Sequence, residues 1–169
     1  VNPITVELTW SGADTRTYDG TASAVTATVT GGLLDGDDAT VTVEGGDEKD
    51  AGTYTATATA IDNPNYALPE ECTVQYTIEP LEITELTWSN TTLTYTGRPI
   101  APSVTSGQIV AGDTVEFSVP AATAVGRYEV TAVSQNPNYV VSADAPSCEF
   151  TISMPEVTLS GSEGDQLTW

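Results

Sequence analysis

The feature that most constrains the fold is an internal repeat, because a chain that carries one module twice should fold both copies alike. Five groups of residues recur in the same order: Glu7-Leu8-Thr9-Trp10-Ser11 with Glu85-Leu86-Thr87-Trp88-Ser89, Thr17-Tyr18-Asp19-Gly20 with Thr94-Tyr95-Thr96-Gly97, Gly52-Thr53-Tyr54 with Gly126-Arg127-Tyr128, Asn63-Pro64-Asn65-Tyr66 with Asn136-Pro137-Asn138-Tyr139, and Cys72 to Ile78 with Cys148 to Ile152. The sequence therefore holds two copies of a module of about 75 to 80 residues.

Within each copy the hydrophobic residues alternate with polar ones, which is typical of strands with one buried face. Tyr54 and the alanines of residues 54–60 share one face, and the threonines share the other. Cys72, Val74, Tyr76 and Ile78 alternate in the same way. Threonine supplies 29 of the 169 residues and there is a single lysine, a composition that favours strands over helices. These patterns predict an all-β fold in which each copy is a compact antiparallel sandwich.

The predicted organisation is two modules and a tail. Residues 1–79 form the first β-sandwich repeat, residues 80–154 form the second, and residues 155–169 are the start of a truncated third repeat or a C-terminal extension. Glu79-Pro80 is a linker of two residues that proline stiffens, so we expect a semi-rigid, elongated rod. The chain starts at Val1 without an initiator Met, and we expect it to be a fragment of a longer protein.

Composition excludes several classes of function. The formal charge is −20 and there is no histidine. Such an acidic chain repels phosphate backbones and anionic lipids, so we expect no nucleic-acid binding. Without imidazole there is no Ser-His or Cys-His nucleophile and no His-ligated zinc. No apolar run approaches the roughly 18 residues of a membrane span, so we expect no membrane insertion.

Two sets of motifs resemble known β modules. Asp50-Ala51-Gly52-Thr53-Tyr54 has the spacing of the tyrosine corner of immunoglobulin-like sandwiches, whose tyrosine hydroxyl bonds nearby backbone. Together with Tyr18-Asp19-Gly20-Thr21-Ala22, Asn65-Tyr66 and Tyr76-Thr77-Ile78, it resembles the MBG and YDG-type repeats of bacterial surface adhesins. Copy two departs from this pattern at Thr96 and Ala124, which stand where copy one has acids. The resemblance implies an all-β stalk module of a cell-surface protein, often in arrays, and not an enzyme.

The predicted fold class is therefore two tandem small immunoglobulin-like antiparallel β-sandwich modules in an elongated arrangement. β-grasp modules are the alternative, and a helix crossing the sheet would distinguish them. Only residues 121–124 suggest such a helix, and that segment is too short.

Two groups of side chains are candidate sites. Asp35, Asp37 and Asp38 could offer oxygen ligands to Ca²⁺, although a solvated turn is the favoured interpretation and copy two keeps only Asp113 of the group. Trp10 and Trp88 could form a carbohydrate platform. Ten of the twelve aromatic residues fall into matched pairs, however, as expected of framework positions that each core must fill.

The cysteines, Cys72 and Cys148, are predicted to occupy the same strand position in successive modules. They would then lie one domain length apart, too far for a disulfide, and we expect buried free thiols.

The functional prediction is a structural spacer of an exported bacterial surface protein, located at the cell surface or cell wall. It would project a distal binding domain, so that any host glycan or protein is bound by other domains of the parent protein. The alternative is a carbohydrate-binding or host-protein-binding module. We expect a monomer with no catalytic residue, cofactor or metal.

Overall fold

The computed structural model of the chain describes residues 2–157, and these fold into β-strands and loops without a helix. The strands of the first copy are β1 (Ile4–Thr5), β2 (Glu7–Ser11), β3 (Arg16–Thr17), β4 (Thr26–Gly31), β5 (Val41–Glu44), β6 (Gly52–Ile61), β7 (Tyr66–Ala67) and β8 (Thr73–Glu79). Those of the second copy are β9 (Leu81–Ile83), β10 (Thr87–Ser89), β11 (Thr92–Thr94), β12 (Ser103–Thr105), β13 (Phe117–Ser118), β14 (Gly126–Val130), β15 (Val133–Ser134), β16 (Tyr139–Val141) and β17 (Cys148–Ser153). The predicted all-β fold is confirmed.

The alternation in β6 and β8 sets the inner and outer faces of the main sheet. These strands pair antiparallel in a four-stranded sheet of order β3-β8-β6-β5. Ala56, Ala58, Tyr76 and Ile78 are buried on its inner face, whereas the threonines between them lie on the outer face. The period of two therefore assigned the buried side of both strands correctly as far as Ala58, whereas Ala60 is exposed beyond an irregularity in the pairing of β5 with β6.

Two smaller pairings complete the first copy. β2 pairs antiparallel with β4, and β1 pairs parallel with β7. Val6 lies between β1 and β2 and is 2% exposed, which anchors the entry of the chain to the core.

The second copy repeats these pairings. β10 pairs with β12, β11 and β14 flank β17, β13 pairs with β15, and β9 pairs with β16. The main difference is that the strand matching β6 is interrupted after Val130, which divides it into β14 and β15.

The prediction of purely antiparallel modules was wrong, because each copy also contains parallel pairs. β1–β7, β3–β8, β9–β16 and β11–β17 are parallel. Residue alternation could not report this, because both kinds of ladder have the same period of two.

The tyrosine corner is present in both copies. The Tyr54 hydroxyl donates to the Asp50 carbonyl oxygen at 2.9 Å, and the Tyr128 hydroxyl donates to the Ala124 carbonyl oxygen at 2.8 Å. The acceptor is backbone in each case, so the bond survives the replacement of the acid by Ala124 in copy two.

The cysteines do not occupy equivalent strand positions, and this prediction was wrong. Val130 pairs with Cys148 as Ala56 pairs with Val74, so Cys148 is the counterpart of Val74, and Cys72 lies just before β8. Cys72 and Val74 are two residues apart and share the same alternation, so the hydrophobic pattern could not distinguish which of them is the counterpart of Cys148. Both thiols are free, as predicted, but only Cys148 is buried.

The segment that suggested a β-grasp helix is extended. Ala122 and Ile100 form an isolated bridge in which each N–H donates to the other's carbonyl oxygen at 2.9 Å. Within residues 2–157, no helix has the length and apolarity needed to cross a bilayer. Of the predicted tail at 155–169, residues 158–169 lie outside the described residues.

Candidate functional site

The junction between the two copies holds the most specific side-chain arrangement of the described residues. β8 ends at Glu79 and β9 begins at Leu81, so Pro80 alone separates the last strand of copy one from the first strand of copy two. The short connection brings the end loops of the two copies into contact.

Two tyrosine hydroxyls, one from each copy, converge on one carboxylate. The Tyr18 hydroxyl donates to Asp113 Oδ2 at 2.6 Å, and the Tyr139 hydroxyl donates to the same oxygen at 2.7 Å. Both tyrosines are buried, and their rings meet edge to face with centroids 5.5 Å apart. Hydrogen bonds to a charged acceptor are stronger than neutral ones, so this arrangement links the copies through one anion.

Local turn structure positions the acceptor. Gly112, with φ of 96°, allows the loop to reverse so that the Asp113 N–H donates to the Val110 carbonyl oxygen at 3.0 Å. The Val110 N–H in turn donates to the Tyr139 hydroxyl oxygen at 3.0 Å. Tyr139 therefore holds the loop in a position where Asp113 contacts copy one.

The ionisation of these groups follows from their contacts. The hydrogen bond to Asp113 raises the pKa of Tyr18 to about 12, and burial together with the same carboxylate raises the pKa of Tyr139 to about 12. The hydroxyls of Tyr139 and Tyr18, helped by the charge of Lys49, lower the pKa of Asp113. At neutral pH the site is one anion held by two neutral phenols.

An asparagine clamp forms a second link across the junction. The Asn138 side-chain Nδ2 donates to Asp50 Oδ1 at 2.8 Å, and the Ala51 N–H donates to Asn138 Oδ1 at 2.8 Å. The local Asn-Pro-Asn turn fixes the clamp, because the Asn138 N–H donates to Asn136 Oδ1 at 3.0 Å. Asn138 is only 9% exposed, so both halves of its carboxamide are used within the protein.

Close packing completes the junction. A Cβ placed on Gly20 would lie 2.6 Å from Val110 Cγ1, and Gly20 has φ of 80°. Hydrophobic contact is continuous as well, since Ile83 and Tyr139 of copy two belong to the same buried cluster as Tyr18 and Ile78 of copy one. A separate cluster, built around Phe150, fills the far part of copy two.

The structure does not group the three candidate calcium ligands into a metal site. Asp37 Oδ2 accepts the Tyr66 hydroxyl at 2.6 Å, and Asp38 Oδ1 accepts the Ala39 N–H at 2.9 Å. Asp35 is exposed on the same loop. Among residues 2–157, no three acidic, cysteine or histidine side chains are grouped to hold a metal ion.

The two tryptophans lie in different places and are both half-buried. Trp10 packs against the cluster that crosses the junction, and Trp88 packs against the cluster around Phe150. The Trp88 indole Nε1 donates to the Pro146 carbonyl oxygen at 3.1 Å. Both side chains therefore contribute to the cores.

The junction was not predicted from the sequence. Tyr18 and Tyr139 were each interpreted as framework residues of their own copy, whereas their rings pack on each other across the boundary. The available signal was that these tyrosines accompany turn motifs, Tyr-Asp-Gly and Asn-Pro-Asn-Tyr, rather than strand interiors.

Comparison with known proteins bears on the first copy. The family model of the MBG domain (YGX type) matches residues 7–70, which include β2 to β7. A search of curated proteins and a search of solved structures each found no match. The matched residues lie wholly within the first repeat, which is therefore similar to MBG domains of the YGX type, as its motifs predicted.

Proposed function

We propose that this chain is a spacer segment of an exported bacterial surface protein, in which rigidly joined modules hold a distal binding domain away from the cell. The observation that carries the proposal is the junction itself: a single-residue linker, two tyrosines on one carboxylate and an asparagine clamp. These contacts restrict rotation between modules, which is what a spacer requires and a flexible tether lacks.

The family supports an extracellular location at the cell surface or cell wall, because MBG domains are typical of exported surface proteins. The charge of −20 is compatible with a solvated, unaggregated stalk. The proposal assigns this segment no catalytic residue and leaves any host glycan or host protein to other domains of the parent.

The placement of the tryptophans supports the spacer over the carbohydrate-binding alternative. A sugar platform needs an exposed ring face, whereas Trp10 and Trp88 are half-buried against separate cores. Their recurrence is explained by the packing of each module.

Small-angle scattering tests the spacer role. We expect a maximum dimension near the sum of two modules laid end to end, and a narrow distribution of interatomic distances. Tyr18→Ala should broaden that distribution by freeing the junction, whereas Tyr95→Ala should not, because Tyr95 is the matching residue at the far end of copy two and is 43% exposed. A maximum dimension of one compact globule, or equal effects of the two variants, would contradict the proposal. Release of the parent protein by protease treatment of intact bacteria tests its location.

A further inference from the structure

The N-terminal end of copy one carries the same loop arrangement as the copy-two side of the junction. The Tyr66 hydroxyl donates to Asp37 Oδ2 at 2.6 Å, and the Leu34 N–H donates to the Tyr66 hydroxyl oxygen at 3.0 Å. Tyr139 makes the matching bonds to Asp113 and to the Val110 amide. The two loops therefore share one hydrogen-bonding scheme.

The strands that enter the two modules are also equivalent. Ile4 pairs with Tyr66 as Leu81 pairs with Tyr139, both in parallel register. The Ile4 N–H donates to the Asn65 carbonyl oxygen at 2.9 Å, the counterpart of a 2.9 Å bond from Leu81. On this alignment Pro3 stands where Pro80, the linker proline, stands at the junction.

The two loop arrangements differ in solvent exposure. Leu34 is 61% exposed and Ile4 is 41% exposed, whereas their counterparts in copy two are half-buried under copy one. Asn65 is exposed, whereas Asn138 is 9% exposed in its clamp. These residues surround an open cleft of about 260 Å³, which we call the socket; its lining includes Asn2, Pro3, Ile4, Leu34, Asp37 and Tyr66.

We propose that the socket is the docking site for the end of a further module of this repeat, joined to the chain ahead of Pro3. In the junction, Asp113 accepts a second hydroxyl from Tyr18, and Asn138 is held by Asp50 and Ala51. In the socket, Asp37 accepts a tyrosine equivalent to Tyr18, and Asn65 donates to a carboxylate equivalent to Asp50. The occupant is thus a module end that carries Tyr-x-Gly and an acid before the tyrosine corner.

The far end of copy two is a poorer occupant than the end of copy one. It offers Tyr95, which is 43% exposed, but Ala124 replaces the acid that holds the asparagine clamp. A second copy of this chain docking through that end would leave Asn65 without its carboxylate partner. This favours a module like copy one, and it makes head-to-tail self-association the competing outcome.

This inference rests on the proposed function only in taking the modules to stack end to end. A fusion of residues 2–79 to residues 3–157 tests it, because the new join Glu79–Pro3 reproduces Glu79–Pro80. In the fusion, Asn65→Ala is placed in the second part, residues 3–157, where it faces the new join. We expect it to lower the urea midpoint of the fusion as Asn138→Ala should do in the parent chain, and to have no effect in the unfused chain. Amide hydrogen exchange at Leu34 should slow by about fivefold in the fusion, the change expected for one additional net hydrogen bond.

Equal, negligible effects of Asn65→Ala in the fused and unfused chains would overturn the proposal. Sedimentation of the unfused chain provides a second measurement that does not depend on folding of the fusion. A monomer at all concentrations supports an occupant in the same polypeptide, whereas self-association that Leu34→Lys abolishes assigns the socket to a second copy and overturns it. Scattering by the unfused chain at concentrations where it is a monomer does not depend on the socket, so failure of the socket leaves the spacer role testable by itself.

Discussion

Replacing Asn138 with alanine should weaken the junction while leaving the local turn intact. The substitution removes the bond from the Ala51 N–H and the bond to Asp50, both 2.8 Å long, but keeps every backbone group of the Asn-Pro-Asn turn. A neutral hydrogen bond contributes about 1 kcal/mol net. The charge-assisted bond contributes about 1 kcal/mol after discounting for the solvent exposure of Asp50. The expected loss of unfolding free energy is therefore about 2 kcal/mol.

Asn65→Ala is the matched control. Asn65 occupies the same place in the turn of copy one, and its N–H donates to Asn63 Oδ1 at 3.1 Å, as in copy two. Because its side chain is exposed, we expect a change within about 0.5 kcal/mol. Any larger cost shared by both variants would come from the turn and not from the junction.

Urea denaturation followed by circular dichroism measures the difference. With an m-value of about 2 kcal/mol per molar, Asn138→Ala should lower the midpoint by about 1 M. Since tandem modules are stabilised partly by their shared interface, the variant should also separate the unfolding of the two copies. A double-mutant cycle with Asp50→Ala should give a coupling of about 1 kcal/mol. Equal midpoints for Asn138→Ala and Asn65→Ala would refute the reasoning.

Three further predictions concern packing, ionisation and thiol access. Gly20→Ala should lower the unfolding free energy, measured by urea denaturation, by about 1 to 3 kcal/mol more than Gly97→Ala does. Both glycines have positive φ, but only at Gly20 would an added Cβ meet a side chain across the junction, at 2.6 Å from a valine Cγ1. Equal losses of unfolding free energy would show that backbone strain alone is responsible. Tyr18 and Tyr139 have pKa values raised to about 12, so their protonated forms contribute stability that is complete below about pH 10 and is lost as the pH rises toward 12. Tyrosinate absorbance and urea midpoints measured across that pH range test this prediction. Urea midpoints that do not change with pH would contradict it. The Cys148 thiol, whose pKa burial raises, should react with a thiol reagent much more slowly in the native chain than in urea, and equal rates would show that the far core of copy two is open.

The strand faces and the repeat were predictable from the sequence because they depend on local periodicity. In β6, Ala56 and Ala58 are buried between outward-facing threonines, as the alternation requires. The tyrosine corner was also predictable, since its spacing indicated the hydrogen bond that the Tyr54 hydroxyl donates to the Asp50 carbonyl oxygen. Parallel pairing of β3 with β8 was not predictable, because it joins segments that are far apart in the chain and leaves no periodic trace.

The junction could not be predicted for a different reason. Tyr18 and Asp113 are 95 residues apart and belong to different copies, so nothing in either copy alone indicates that they meet. The comparison between copies gave no sign of this contact, since it treats each copy as self-contained. The same treatment aligned Cys72 with Cys148, an error of two residues that only the strand register corrects.

The parallel pairing of β3 with β8 decides how the first module responds to a mechanical load. In a parallel pair, the N-terminal end of one strand and the C-terminal end of the other lie at opposite ends of the pair. A force that pulls these two ends apart therefore slides the strands along each other. Their hydrogen bonds, with the Tyr18 N–H to Glu79 carbonyl bond beyond them, then stretch together rather than opening one after another. β11 and β17 pair in the same parallel sense in the second module, so in both modules a pull along these strands would load the pair in shear.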